Sequence, residues 1–261
     1  STPDEDFGAL TDSMRMLARR VAELHLALAQ RSGRPAFEPE PVQAADTARW
    51  KDVVRKECHR TLAQLRERTE PWPAPLGDEV ARITAAEPAL MQVIDRVGAV
   101  PASHMKTRLH GDLHLGQVLV CRDDFLIIDF EGEPQRDFEQ RRTKHSALRD
   151  VAGMLRSFDY ARHMALHQTA KSPAELDLLA PGARQWERAM RAAFLQSYGE
   201  VAVAGGLYAS TAEFETVAPL VGLFELEKAL YELHYEIDNR PDWVGVPLAG
   251  IASLAGLAGP N

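Results

Sequence analysis

Apolar residues recur at helical spacing along most of this chain. From Phe7 to Ala29 the stripe is Leu10, Met14, Leu17, Val21, Leu24 and Leu28, with Thr11 or Asp12 placed to cap its start, so the pattern predicts an amphipathic helix. Ser32 to Val42 holds three prolines and a glycine and predicts a loop or an extended crossing. A second helix is expected from about Ala44 to Arg68, with Trp50, Val53, Val54, Leu62 and Leu65 inward. Pro71-Trp-Pro-Ala-Pro breaks the chain. A third helix then runs from Leu76 to Val97, bent or restarted at Pro88 and stopped by Gly98 and Pro101. Further helical stripes cover Leu148 to His167, Pro181 to about Ala202, and Thr211 to Asp238, the last interrupted near Pro219 or Gly222.

One stretch departs from this period. Val118 to Val120 and Phe125 to Ile128 are short β-branched and aromatic runs separated by Arg122-Asp-Asp124, which predicts a β-hairpin. Residues 1 to 109 lack a strand followed by a Gly-rich loop and have too few β-branched runs for a sheet. The expected class is therefore mainly α (α+β), a helical body with one small hairpin. Its parts follow in series: 1–105 helical, 106–145 loop and hairpin, 146–261 helical.

Composition narrows the function. At 261 residues the chain can bury a large core as one domain or two small ones. A net charge of -8 argues against a nucleic-acid surface. Arg55, Lys56, Arg60, Arg66 and Arg68 are interleaved with Glu57, Glu67 and Glu70 and read as a solvated helix face. Cys58 and Cys121 offer neither a disulfide framework nor metal spacing, which suits a reducing cytosol. There is no signal-like segment and no apolar run that would span a bilayer, so a cytoplasmic location is expected, with no membrane partner. His25, inside the first helical stripe, reads as a satisfied packing histidine.

The chemistry is concentrated around the hairpin. Asp112 precedes it in His110-Gly-Asp-Leu-His114, Gln117 stands at its mouth, and Asp129 closes it in Ile128-Asp-Phe-Glu-Gly-Glu133. Kinase-type phosphoryl transfer uses the same order: a carboxylate that orients the acceptor hydroxyl and takes its proton, then an oxygen ligand and a second carboxylate that hold Mg²⁺ on the nucleotide phosphates. Two other readings stay open. His110, Asp112 and His114 alternate and on a strand would share a face, as ligands of a hydrolytic Zn²⁺ would. Alternatively the acids are merely solvated.

The segments His110-Gly-Asp-Leu-His-Leu-Gly-Gln-Val-Leu and Ile128-Asp-Phe-Glu-Gly-Glu-Pro resemble those of maltokinases, sugar kinases of the aminoglycoside-phosphotransferase and protein-kinase-like group. So do Leu148-Arg-Asp-Val-Ala-Gly-Met-Leu-Arg, Glu227-Lys-Ala-Leu-Tyr-Glu-Leu-His-Tyr-Glu and Asn239-Arg-Pro-Asp-Trp. The resemblance implies a kinase-like C-terminal lobe without the N-terminal ATP-binding lobe, inactive toward ATP by itself. It implies ATP and maltose as substrates and maltose 1-phosphate as product. Asp112 would be the base with His110 beside it, Gln117 and Asp129 would hold Mg²⁺ and nucleotide, and Asp150 would support the Asp112 loop. An association with trehalose synthase would follow as well.

His114, Glu131 and Glu133 are candidate sugar contacts on this resemblance. For the two glutamates, ion pairing with Arg136, Arg141 or Arg142 is the equal alternative. Lys228, Tyr231, Glu232 and Tyr235 share one helix face and suit a disaccharide wall, or equally the edge of a core. Gln117 departs from the Asn usual in kinases at large, and Glu131 replaces the Gly of Asp-Phe-Gly. Two further functions fit the residues less closely: a non-catalytic assembly or regulatory module beside trehalose synthase, and a phosphotransferase for an aminoglycoside, an amino alcohol or another sugar.

Overall fold

A computed structural model of the chain describes residues 3–68, 71–74, 76–133 and 137–257, with side chains from Phe7 onward. In chain order the elements are α1 (Pro3–Leu28), β1 (Glu40–Pro41), α2 (Ala44–Glu67), α3 (Leu76–Ala85), α4 (Glu87–Asp95), β2 (Met105–Thr107), β3 (Val118–Cys121), β4 (Asp124–Ile127), α5 (Phe138–Arg142), β5 (His145–Ser146), α6 (Leu148–Thr169), α7 (Pro173–Ala204), α8 (Thr211–Val217), α9 (Pro219–Asn239) and α10 (Gly245–Leu254). Single 3-10 turns occupy Leu115–Gln117 and Pro241–Trp243. The fold is mainly helical with two small sheets, the α+β class that the periodicity predicts.

These elements form two compact units. One comprises Ser1–Val42 and Pro101–Thr216, the other Gln43–Val100 and Val217–Asn261. The units interleave along the chain.

In the first unit α1 lies along α7, and α7 along α6. Leu17, Ala18, Val21 and Ala22 are fully buried, as are Phe158, Phe194 and Tyr198, with the two phenylalanines edge to face and their centroids 5.9 Å apart. Ser197 donates its hydroxyl to the carbonyl of Arg15 at 3.0 Å, locking the α1–α7 register. Strands β1, β2 and β5 make a small antiparallel sheet in that order, with Lys106 opposite both Glu40 and Ser146. Strands β3 and β4 make the hairpin, Leu119 facing Leu126. Its turn is tied to α1 by Arg20, whose guanidinium meets both carboxylate oxygens of Asp124 at 2.7 and 2.9 Å. In the second unit α9 packs on α2, α4 and α10, with Trp50 edge-on to Phe224 at 5.6 Å.

Several boundaries differ from expectation for identifiable reasons. Helix α7 begins at Pro173 rather than Pro181. Ser172 accepts the N–H of Glu175 and the Glu175 carboxylate accepts that of Lys171, so the cap is built early. Its first turns are exposed, Leu178 by 78%, and carry no inward stripe for periodicity to detect. Pro181 sits inside the helix. The third expected helix is two, α3 and α4, divided at Ala86 with Pro88 in the first turn of α4. The segment Glu131 to His145, expected to be a loop, contains α5, nucleated by a capping box between Asp137 and Gln140. Strands β1 and β2 correct the expectation of no sheet before residue 109; at two and three residues they are too short to leave an alternating pattern. Among the described residues no helix is long and apolar enough to cross a membrane.

Candidate active site

The hairpin brings the expected metal donors together. The N–H of Ile128 donates to the carbonyl of Gln117 at 3.0 Å, carrying the pairing one step beyond β3 and β4. Gln117 and the residues after Ile128 therefore stand side by side, and the Gln117 amide Nε2 donates to Oδ2 of Asp129 at 3.0 Å. Asp129 has a φ of 64°, in the left-handed region that Asp tolerates better than most side chains, and Gly132 follows at 77°. Together they bend the chain back over the loop that carries Asp112.

Three contacts join that loop to the hairpin exit. Gly111, at φ 87°, lies so close that a Cβ there would stand 3.3 Å from Cα of Gly132. His110 donates from Nε2 to the carbonyl of Ile128 at 2.8 Å, and its ring lies 5.0 Å from that of Phe130. Its Nδ1 accepts the N–H of Asp112 at 3.3 Å, which fixes the tautomer with hydrogen on Nε2. Both ring nitrogens of His110 are thus committed, which removes it from any Zn²⁺ set. His114 uses Nδ1 to accept the N–H of Gly116 at 3.0 Å and places Nε2 3.8 Å from Oδ2 of Asp112. The Asp112 side chain is 17% exposed.

Helix α6 supports the loop from below. Asp150, at its first turn, accepts the backbone N–H groups of His110 and Gly111 at 2.8 and 2.9 Å. Its Oδ2 also meets Nε2 of His25 at 3.2 Å, and Nδ1 of His25 meets the Tyr198 hydroxyl at 2.8 Å. Burial pushes the Asp150 carboxyl upward, but the hydrogen bond and charge of His25 and the two amides outweigh it and hold the group below the ordinary carboxylate range. Gly153 comes next: a Cβ there would stand 2.6 Å from the carbonyl oxygen of Leu113. Ser157 then accepts the N–H of Leu115 at 3.1 Å. Residues 150, 153 and 157 follow at i, i+3 and i+7, one face of one helix.

Of these supports the sequence singles out Asp150 alone. His25 is fully buried, as a packing histidine should be, but it bonds the acid beneath the loop. Gly153 had a legible signal, a glycine inside an otherwise strong helical stripe.

The remaining candidates fall in both units. Glu131 is exposed, and its carbonyl accepts from Arg141 at 3.3 Å. Glu133 is buried. Arg142 lies over the Phe138 ring at 5.0 Å, and Arg136, the third proposed ion-pair partner, falls outside the described residues, as does Glu70. Lys228, Tyr231, Glu232 and Tyr235 lie along α9 and so belong to the second unit, while the loop and hairpin belong to the first. The Lys228 ammonium is 5.2 Å from the centre of the Tyr231 ring, and the Arg240 guanidinium is 5.4 Å from that of Tyr235.

Gln117 and Asp129 are an amide and a carboxylate, a donor pair that fits Mg²⁺, which takes one or two protein oxygens and completes its shell with phosphate and water. Among the described residues no group of three or more His, Cys, Asp or Glu is gathered to hold a metal ion.

No family model matches the sequence. The chain is similar to the glucosamine kinase of Streptacidiphilus jiangxiensis, 27% identical over 241 residues, which cover 91% of this chain and 48% of that protein. It is also 28% identical over 256 residues to the glucosamine kinase of Mycolicibacterium smegmatis (strain ATCC 700084 / mc(2)155), covering 94% of this chain and 54% of that one. Among solved structures, a glucosamine kinase (crystal form B) superposes with a TM-score of 0.72 at 25% identity, covering 98% of this chain and 54% of the other. A glucosamine kinase in complex with glucosamine, ADP and inorganic phosphate gives 0.70 at 24% identity, covering 97% and 53%. The chain spans about half the length of the curated relatives it matches. These relatives are sugar kinases, in keeping with the kinase-like part of the sequence reading. They lend no support to its narrower part, the maltokinases with maltose and trehalose synthase.

Proposed function

We propose that this chain is the phosphoryl-transfer half of a kinase-like sugar kinase, using ATP and phosphorylating glucosamine or a close amino sugar. The observation that carries the reading is the convergence at the hairpin exit: Gln117 bonded to Asp129 at 3.0 Å, with the Asp112 loop strapped to the same exit by His110 and Ile128. Asp112 orients the acceptor hydroxyl and accepts its proton as the oxygen attacks the γ-phosphorus. His110 is a positioning residue, because both its nitrogens hold the loop. Gln117 and Asp129 would hold Mg²⁺, which when bound offsets negative charge on the phosphates. Leu119 and Leu126, paired on the hairpin and each about half exposed, offer an apolar floor beside those donors for a flat base. Glu131, two residues after Asp129 and exposed, is available to the ammonium or a hydroxyl of the acceptor. The names of the relatives favour glucosamine over maltose as that acceptor.

The test is acceptor-dependent ADP release by the whole gene product that contains these residues, with Mg²⁺-ATP and glucosamine, glucose or maltose. Glucosamine is expected to be the preferred acceptor. Asp112→Asn is expected to lower kcat by about 10²–10⁴-fold, roughly 3–5 kcal/mol of barrier, with little change in KM. A preference for maltose would restore the sequence-based acceptor and keep the kinase. Turnover by Asp112→Asn within a few-fold of the parent would end the assignment.

A further inference from the structure

Two arginines of the first unit are brought together on the approach to the Asp112 loop. Arg108 immediately follows β2 and leads into that loop, and Arg142 ends α5. The Arg108 guanidinium donates to the backbone carbonyl of Arg142, so its charge lies against the backbone from which the Arg142 side chain starts. Each guanidinium stands over an aromatic ring, Arg108 at 5.6 Å from the centre of Phe37 and Arg142 at 5.0 Å from that of Phe138. A ring face restricts the rotamers of a guanidinium without using its N–H groups, which stay available to a ligand.

No acid offsets the two charges. Among the described residues neither Arg108 nor Arg142 enters an ion pair. Burial and the charge of Arg142 together hold the Arg108 pKa below its ordinary value. Glu40, the carboxylate on β1, is already shared between Lys144 at 2.5 Å and Lys106 at 3.9 Å. The one described hydrogen bond of the Arg108 side chain leaves most of its donors uncommitted.

Two neighbouring guanidiniums with preset orientations and forked donors suit a tetrahedral oxyanion, and a monocarboxylate would balance only one of their charges. We propose that Arg108 and Arg142 form a binding site for a phosphate dianion, either free or as the monoester of a small sugar. The phosphoryl oxygens accept from both guanidiniums. Phe37 and Phe138 are 45% and 62% exposed, so ring surface remains beside the charges for the carbon skeleton of an ester. The site uses none of Asp112, Gln117 and Asp129 and is independent of the phosphoryl-transfer reading.

Isothermal titration of the chain at about pH 8, where phosphate is mostly dianionic, tests it without Mg²⁺ or nucleotide. The probes are inorganic phosphate and glucose 6-phosphate, and the controls are neutral glucose and singly charged acetate. Saturable binding of a phosphate probe is expected, with glucose and acetate at least about tenfold weaker. Tighter binding of glucose 6-phosphate than of phosphate assigns the ester as ligand, and equal or weaker binding assigns the bare anion; the site holds in both cases. Arg142 is exposed, so Arg142→Gln should leave the urea midpoint unchanged while weakening the phosphate probes by roughly three- to tenfold. Adding Arg108→Gln should bring the loss to at least about thirtyfold. Wild-type affinity in Arg142→Gln overturns the proposal. So does acetate binding as tightly as phosphate, or no saturable heat with either phosphate probe up to about 10 mM.

Discussion

Replacing Gly153 by alanine sets two physical effects against each other. Helix propensity favours the change: an Ala in a helix interior is more stable than Gly by about 0.8–1 kcal/mol. Packing opposes it. The new Cβ would stand 2.6 Å from the carbonyl oxygen of Leu113, where ordinary contact begins at 3.4 Å, so helix and loop must separate by about 0.8 Å. Neither can do so freely, because Leu113 is 2% exposed and Ala152, Met154 and Leu155 are buried on the helix itself. Overpacking of this kind costs about 1–3 kcal/mol, which outweighs the propensity gain and leaves a net loss of up to about 2 kcal/mol. The functional effect is larger, because Leu113 directly follows Asp112. A displacement approaching 1 Å at a reacting group costs roughly 100-fold in turnover. Urea denaturation of the chain and glucosamine-dependent ADP release by the whole gene product measure the two quantities. A variant that is more stable by about 1 kcal/mol and turns over at the parental rate would show that α6 does not position the loop.

Two further predictions concern pH. Asp150→Asn removes an acid that serves two amides and His25, and breaking such a buried set should cost about 3–5 kcal/mol at pH 7. Because the folded-state pKa of Asp150 is depressed, its contribution is present above the ordinary carboxylate value of about 4 and is lost as pH falls through the folded value. The gap in urea midpoint between the variant and its parent should therefore narrow at pH 3, and an undiminished gap there would contradict the charge argument. His104 behaves in the same direction for another reason. It is 2% exposed, stacked on Tyr208 and bonded through Nε2 to Ser146, and burial lowers its pKa from 6.5 to about 4. The unfolded chain takes up a proton that the folded chain refuses, so stability falls as pH drops from about 6.5, by about 2 kcal/mol at pH 5 and up to about 3 kcal/mol below the folded value. His104→Gln keeps a partner for Ser146 and should remove that part of the acid slope between pH 7 and 5.

The sequence was informative where pattern and chemistry coincide. The hairpin was legible because two apolar runs flank a polar tripeptide, and its ends are marked by Gln117 and Asp129, which the fold places 3.0 Å apart. The helices with inward stripes were legible for the same reason. What escaped has its energy in capping or in distant pairing. Helix α5 depends on Asp137 and Gln140 rather than on an apolar face, and the early start of α7 on Ser172 and Glu175. Helix α10 lies within the span expected to be helical but left no stripe of its own, because it is apolar almost throughout. The role of His25 was hidden because Asp150 lies 125 residues further along the chain and Tyr198 173 residues further. A local window contains neither partner. The proposed acceptor was the least legible feature, because it rests on the names of the relatives and on no residue of the loop or hairpin.

The distance between Asp112 and the groups that hold its loop has a consequence during synthesis. Ribosomes add about 5–20 residues per second, so roughly 2–8 s pass after Asp112 is made before Asp150 follows, and about 4–17 s before Tyr198 completes the seating of His25. Through that interval α1 is already present but lacks α7, the helix it lies along. The nascent chain therefore carries an apolar helix face and an unseated loop at the same time, and its exposure to chaperones and proteases is set by translation speed across residues 112–198. Slower codons placed in that span would lengthen the window, and yield of folded chain would fall with them.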